Sequence, residues 1–232
     1  MDMFSAGPLR TALVAITASL WWIGAGATNV DPGATGIPIV EEAFDINPIA
    51  QQTPTPNLFF SASGFQFKAS VDDIVHRQPD GTLVFETKVT IQPVNPSDQV
   101  PASLLVDQVS RTNYTGFSTS AIPEPDRGGV LFPETADRSA SGSEVFFNFL
   151  NGSAGDNRLP LSGAESSFFA IATNATDFAL TGALRLHVAG GDYTLTIPVF
   201  SPVPEPGQIA FLLAGGTVCV LLSRRRRPVA QA

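Results

Sequence analysis

The residues able to perform acid–base or metal chemistry are few and widely spaced. The sequence contains two histidines, His76 and His187, and one cysteine, Cys219, so it offers no intrachain disulfide and no thiolate metal cluster. Both histidines fall in segments whose apolar residues alternate, and we interpret them as strand-face side chains rather than as a base or a ligand. The H-E-x-x-H pattern of zinc hydrolases does not occur.

Two further groups of residues could do chemistry. Asp72 and Asp73 could serve as the acid and base of a glycosidase, but neighbouring strand residues point to opposite faces, so we expect a solvated strand end. Asn151, Asp156 and Asn157 could bind calcium in a loop, although the EF-hand spacing is missing. The segment 151–155 lacks the G-x-S-x-G spacing of a serine hydrolase. We therefore predict no catalytic residue, no metal and no cofactor.

The C-terminal residues combine a stiff motif, an apolar span and a basic cluster. The motif is Pro204-Glu205-Pro206, and the span is 208–223, whose uncharged core from Ile209 to Leu222 has 14 residues. At about 1.5 Å per residue this core is about 21 Å long, short of a hydrocarbon layer of about 30 Å. By the positive-inside rule the cluster stays cytoplasmic; it comprises Arg224, Arg225, Arg226 and Arg227. This layout is typical of a temporary anchor awaiting a processing enzyme.

The N-terminal residues 1–27 have the pattern of an export signal peptide. A weakly basic start is followed by an apolar run that ends at the small residues Ala25 and Ala27, which suit cleavage by signal peptidase before Thr28. The alternative is a buried N-terminal helix, but polar, Pro-rich sequence follows.

The ordered motif, span and arginine cluster resemble the PEP-CTERM sorting signal that bacterial exosortases recognise. A second Pro-Glu-Pro at 123–125 has no apolar span after it. The resemblance implies that the chain is a substrate of a membrane-embedded exosortase and not itself an enzyme. It also implies passage through the inner membrane to the cell envelope or extracellular matrix, often alongside exopolysaccharide.

Two other interpretations of the C-terminal residues remain open. A GPI signal also ends in an apolar tail, and three N-glycosylation sequons begin at Asn113, Asn151 and Asn174; four arginines after the span are atypical of it. A permanent single-pass membrane protein is the other alternative, and the short span argues against it.

Residues 28–206 would remain after both cleavages. They contain eight Lys and Arg against twenty Asp and Glu, a net charge of −12, which disfavours nucleic acid and anionic lipid as partners. They also contain fifteen of the seventeen phenylalanines, which must supply much of the core.

Apolar residues alternate from Leu58 onward. The segments 65–71 and 82–92 predict a hairpin around Gln78-Pro79-Asp80-Gly81, and 183–188 with 193–200 predict another. Further strands are expected at 104–111, 115–122, 144–150 and 166–173. We predict an all-β protein, an antiparallel β-sandwich of roughly eight strands flanked by an N-terminal signal helix and a C-terminal hydrophobic helix.

The predicted organisation is a signal peptide at 1–27, a Pro/Thr-rich leader or edge segment at 28–57, a sandwich ectodomain at 58–200 and a sorting tail at 201–232. The alternative function is a carbohydrate- or calcium-binding module, although residues 28–206 have no Trp to stack on a sugar.

Three phrases within the middle region resemble features of uncharacterised ectodomains that precede PEP-CTERM tails. They are the segments 76–83, 136–139 and 171–175. The resemblance implies a fold and a location, and it assigns no catalytic residue.

Overall fold

The computed structural model describes residues 28–41, 44–52, 58–152, 155–189 and 194–204. Over these ranges the chain is all-β, with two antiparallel sheets, a two-stranded ribbon and no helix. No helix in the described part is therefore long and apolar enough to cross a membrane. The two expected flanking helices lie outside the described residues.

Seventeen strands are found in the described part, about twice the predicted number. The excess consists of pieces of two to five residues, whereas seven strands have seven residues or more. In chain order the strands are β1 Thr28–Asn29, β2 Ile37–Pro38, β3 Pro48–Gln52, β4 Leu58–Ala62, β5 Phe65–Arg77, β6 Leu83–Pro93, β7 Leu105–Thr112, β8 Thr119–Gly128, β9 Thr135–Arg138, β10 Glu144–Asn148, β11 Asn151–Gly152, β12 Gly155–Asp156, β13 Leu159–Pro160, β14 Ala164–Glu165, β15 Ser167–Thr173, β16 Phe178–Val188 and β17 Thr194–Pro202.

The first sheet has the order β1-β8-β15-β6-β5-β3, with β4 beside β5 and β14 beside β6. The second has the order β17-β16-β7-β10-β9-β2, with β13 beside β7, and β11 and β12 form the ribbon. All these pairings are antiparallel. Buried apolar side chains of both sheets form one continuous core, so the arrangement is sandwich-like.

The long hairpin of β5 and β6 confirms the turn prediction. Gly81 has a φ of +90°, a conformation that glycine adopts without a Cβ clash. Its amide donates to the carbonyl of Gln78 at 2.9 Å, and Asp80 Oδ1 accepts from the Thr82 amide at 2.9 Å. The turn fixes a register that pairs Val75 with Phe85.

The predicted alternation of phenylalanines is also confirmed. Val145, Phe147 and Phe149 are fully buried along one face of β10 and the residue after it. The Phe147 ring lies 4.6 Å, centroid to centroid, from that of Phe169 on β15 of the other sheet. Such tilted ring pairs stabilise the contact beyond simple burial, and they join the sheets at the centre of the core.

The strand predicted at 115–122 is displaced along the chain. Gly116, with a φ of +86°, lies in a turn, and β8 begins at Thr119 and continues through the second Pro-Glu-Pro at 123–125. Strand β1 pairs with β8 only at Ser120 and Ala121. Beyond those residues β8 has no described strand on that side, which is where proline is tolerated in a sheet.

Strands are also present on both sides of the boundary expected at residue 58. β1 pairs with β8, β2 with β9, and β3 with β5, each at an edge position of its sheet. Val30, after β1, is fully buried in the core. The part of the 28–57 segment that the structure describes therefore belongs to the sheets as edge strands.

Candidate functional site

Only one residue of the predicted processing sites lies in the described part of the chain. Pro204 is exposed two residues after β17, and the Val203 amide donates to the Asp177 carbonyl at 3.2 Å. The remaining predicted residues fall outside the described ranges; they are Glu205, Pro206, Ala25, Ala27, Arg224, Arg225, Arg226 and Arg227. In the described part of the chain, this hydrogen bond of Val203 therefore lies immediately before the motif.

Asp73 lies inside the sandwich and Asp72 outside it, which confirms their opposite orientation. The expectation of a solvated strand end is wrong for Asp73, which is fully buried. Its Oδ1 lies 2.9 Å from Nη2 of Arg111, itself 1% exposed. A buried ion pair of this kind cannot protonate a substrate, since neither group contacts solvent.

The Asp73–Arg111 pair joins four strands of the two sheets. Arg111 Nη1 donates to Thr87 Oγ1 on β6, and Nη2 donates to the Phe200 carbonyl on β17 at 2.6 Å. The Phe200 amide donates to Asp73 Oδ2 at 2.6 Å. One negative and one positive charge thus compensate each other within the core, and the pair connects the two sheets.

His187 projects from the outer face of the second sheet, so its assignment as a strand-face side chain is confirmed. Its Nε2 lies 3.2 Å from Ser110 Oγ, and that hydroxyl donates to Glu144 Oε1 at 2.7 Å. In a catalytic triad the carboxylate would orient the imidazole instead. Ser110 is also fully buried, so this trio is not the arrangement of a serine hydrolase.

The loop considered for calcium has its charge already paired. Asp156 Oδ1 and Oδ2 accept from Nε and Nη2 of Arg158 at 2.8 Å and 2.7 Å, and these bonds lower the pKa of Asp156 to about 2. Asn157 donates its amide to Glu134 Oε1 at 2.9 Å. Among the described residues no group of three or more His, Cys, Asp or Glu is arranged to hold a metal ion.

A cluster of four polar residues lies on the outer face of the first sheet. It comprises His76 on β5, Glu86 on β6, and Glu124 and Arg127 on β8; we call these the carboxylate cluster. Ala170 on β15 pairs with Glu86 on one side and with Ile122 on the other. Because the alanine side chain is small, the two glutamates can meet above it.

Direct contacts link all four residues of the cluster. His76 Nε2 lies 2.9 Å from Glu86 Oε2. Arg127 Nη1 donates to Glu86 Oε1 and also to Glu124 Oε2 at 2.6 Å. The two carboxyl groups therefore lie side by side at one guanidinium nitrogen.

Aromatic rings cover the cluster on two sides. Phe44 contacts the His76 ring edge-on at 5.4 Å and packs with Ala172 against a small second core of Val84, Ile122 and Ala170. The Arg127 guanidinium lies 4.8 Å from the centroid of Phe168. As a result His76 and Glu86 are essentially inaccessible to water, and only Arg127 is partly exposed.

The environment moves the two carboxyl pKa values in opposite directions. Burial, together with the negative charge of Glu86, raises the pKa of Glu124 from 4.5 to about 7, although Arg127 opposes this. Burial alone would raise the pKa of Glu86 as well, but hydrogen bonds from His76 and Glu124 and the charge of Arg127 lower it. Two neighbouring carboxyl groups whose pKa values are moved in opposite directions are typical of acid–base catalysts.

Burial distinguishes this pair from a catalytic one. A general acid must come within hydrogen-bond distance of the substrate, yet the Glu86 side chain is 0% and the Glu124 side chain 9% exposed. The carboxyl groups also contact one nitrogen, leaving no space between them for a sugar and a water molecule. The arrangement can store a proton but cannot act on a polysaccharide.

Two of the three phrases singled out in the sequence contain an arginine that connects loops. Arg138 donates to the carbonyls of Val30, Tyr114, Phe117 and Gly142 at 2.7–3.2 Å. Arg77, before the β5–β6 turn, donates to the Thr176 carbonyl at 3.1 Å. The two arginines donate hydrogen bonds to carbonyl groups that strand pairing leaves unpaired, and they thereby connect segments that are distant in the sequence.

Sequence reasoning did not identify the carboxylate cluster. His76 was assigned correctly to a strand face, but its partner Glu86 is ten residues away and depends on the hairpin register. Glu124 lies within the second Pro-Glu-Pro, beyond the strand predicted at 115–122. The available signal was polar residues alternating with buried apolar ones at Glu86 and Glu124.

Comparisons with known proteins provide no assignment. No protein-family model, curated protein or solved structure matches the chain.

Proposed function

We propose that this chain is an exported, non-enzymatic protein of the cell envelope or extracellular matrix. Signal peptidase removes residues 1–27, the span 208–223 anchors the chain transiently in the inner membrane, and an exosortase processes it at Pro204-Glu205-Pro206. The ordered signals at the two ends of the sequence are the observation on which this proposal rests.

The proposal agrees with the positions of the described strands and core, which fall between the two proposed cleavage sites in the sequence. The first described strand begins at Thr28, and β17 ends at Pro202. The buried core residues lie between Val30 and Val199. Removal of either end therefore takes away no described core residue, so the processed protein keeps its apolar interior.

The test is the intact mass of the exported chain in a bacterium that has an exosortase. We expect a product that begins at Thr28 and has lost the arginine cluster. Pro206→Ala should block the C-terminal processing. Pro125→Ala, in the second Pro-Glu-Pro on β8, is the matched control and should be processed normally. An exported product that retains Arg224 to Arg227 would contradict the proposal.

A second candidate function is carbohydrate binding on the outer face of the second sheet. Gln108 donates its amide to Asn148 Oδ1 at 2.8 Å, and Asn148 donates to Thr135 Oγ1 at 3.0 Å. Phe146 lies on the same strand, with its ring centroid 6.4 Å from that of His187. A row of amides and hydroxyls beside a ring suits a polyhydroxylated ligand.

Glycan-array binding by the exported protein tests this second function. Binding that is lost in Asn148→Ala and kept in Glu165→Gln, on the other sheet, would support it. An array without signal would remove it and would leave the proposed export and processing intact. Calcium binding is not proposed, because Arg158 occupies the Asp156 carboxylate.

A further inference from the structure

The carboxylate cluster contains one more acidic group than its cation can balance. Glu86 and Glu124 both accept from Arg127 Nη1, while the second oxygen of Glu124, Oε1, is buried without a hydrogen-bond donor. A buried ionised carboxylate with an unsatisfied oxygen is strongly disfavoured. A proton on Glu124 removes the excess charge and gives this group a donor directed at its neighbour Glu86.

The remaining charged groups around the pair do not supply another cation. On β5 the face carries His76, Asp72 and, farther along the strand opposite Gln92, Lys68; on β6 it carries Lys88 beside Glu86, and β8 adds the exposed and negative Asp126. Lys88 is engaged by Glu165 of β14. Strand β15 contributes the uncharged residues Phe168, Ala170 and Ala172, and the covering segment contributes Phe44 and Asp45.

His76 contacts the Glu86 oxygen that Arg127 does not. Its Nε2 lies 2.9 Å from Glu86 Oε2, whereas Arg127 donates to Glu86 Oε1. His76 thus supports Glu86, and among the described residues Arg127 is the cation in contact with both carboxyl groups.

We propose that Glu86 and Glu124 share a single proton and form a pH-dependent latch on the outer face of the first sheet. The protonated pair is neutralised by Arg127 and packs beneath Phe44. Loss of the shared proton places two adjacent negative charges under this cover with one guanidinium between them, and the Phe44 segment then loosens from the sheet. The protein is thus most tightly packed in mildly acidic surroundings. This inference is independent of the proposed export and processing.

The sign of the effect follows from the raised pKa of Glu124. Between its ordinary value of 4.5 and about 7, the folded protein holds a proton that the unfolded chain releases. The latch therefore contributes its full stability below the lower value and loses it as the pH rises through about 7. Glu86, whose pKa is lowered, remains ionised throughout this window.

Thermal unfolding of the full chain at about pH 5 and about pH 8 tests the latch. We expect the midpoint to fall as the pH rises. Glu124→Gln, which copies the protonated acid, should remove most of that fall. Glu144→Gln is the matched control: Glu144 also pairs with an arginine in a half-buried position, but on the other sheet. An equal fall in all three proteins would overturn the proposal.

A direct count of the proton keeps the inference testable if a variant folds poorly. The side-chain carboxyl carbons of glutamate-labelled full chain can be followed by NMR against pH, and the Glu124 signal is assigned by its absence in Glu124→Gln. We expect it to titrate near neutral pH in the unaltered protein and at lower pH in Glu86→Gln, because burial still raises the pKa of Glu124 there but the negative charge of Glu86 no longer does. Titration in the ordinary range in both proteins would exclude the shared proton.

Discussion

Two buried charge networks lie on opposite faces of the first sheet, and they differ in charge balance. In the interior, Asp73 and Arg111 match one negative charge with one positive charge, and the backbone amide and carbonyl of Phe200 bond to Asp73 and Arg111 respectively. On the outer face, two carboxylates share Arg127. The comparison teaches that a buried pair with matched charges needs no extra proton to balance it, whereas two carboxylates at one cation make the charge balance depend on a proton.

The largest effect is expected from Arg111→Met. This change leaves Asp73 buried without its cation, and breaking one partner of a buried pair costs about 3–5 kcal/mol. Chemical denaturation should show this loss, and Asp73→Asn combined with Arg111→Met should recover part of it. If the single change cost no more than a surface substitution, the pair would not be the connection between the sheets that its geometry indicates.

A somewhat smaller loss of stability is expected from Arg138→Met. This variant tests whether a buried arginine can stabilise the fold without an anionic partner. Arg138 donates only to main-chain carbonyls, and loss of several hydrogen bonds to a charged group should cost about 2–4 kcal/mol. Arg158→Met, in an exposed pair, is the control and should leave the denaturation midpoint unchanged. Equal midpoints for the two variants would contradict the role of Arg138 as a tie.

Much of the fold could be predicted from local patterns, since alternation identifies both strands and their inner faces. Phe147, Phe149 and Phe169 are buried as their spacing predicts. The turn at 78–81 was predictable because Pro and Gly restrict or permit particular φ values. The short edge strands could not be predicted, because a strand of two residues is too short to show an alternation of apolar and polar residues.

The carboxylate cluster could not be predicted because its residues meet through the order of the strands. Glu86 and Glu124 are separated by β15, a strand that follows both of them in the sequence. No spacing between the two glutamates contains that information. The pairing of Asp73 with Arg111 in the interior could not be predicted from the sequence either, since the two residues belong to different sheets.

Glu86→Gln should destabilise the protein by about 2 kcal/mol near neutral pH, because His76 and Arg127 lose a charged hydrogen-bond acceptor. The substitution keeps the shape of the side chain, so cavity formation does not contribute. Glu124 can then ionise against Arg127 alone, and the stability difference between acidic and alkaline solution should shrink. Denaturation at several pH values measures both effects; an unchanged pH dependence would show that the two carboxyl groups are not coupled.

The smallest loss of stability is expected from Lys88→Met, at the border of the carboxylate cluster. Lys88 is paired with Glu165, whose side chain is 51% exposed, so water screens the interaction and its loss should cost at most about 1 kcal/mol. The Lys88 ammonium also lies 5.7 Å from the centroid of the Phe168 ring, and methionine replaces this cation–π contact by a sulfur–aromatic one. A loss as large as that of Glu86→Gln would mean that the Lys88–Glu165 pair belongs energetically to the carboxylate cluster. The two carboxylates and Arg127 would then no longer be a self-contained proton site.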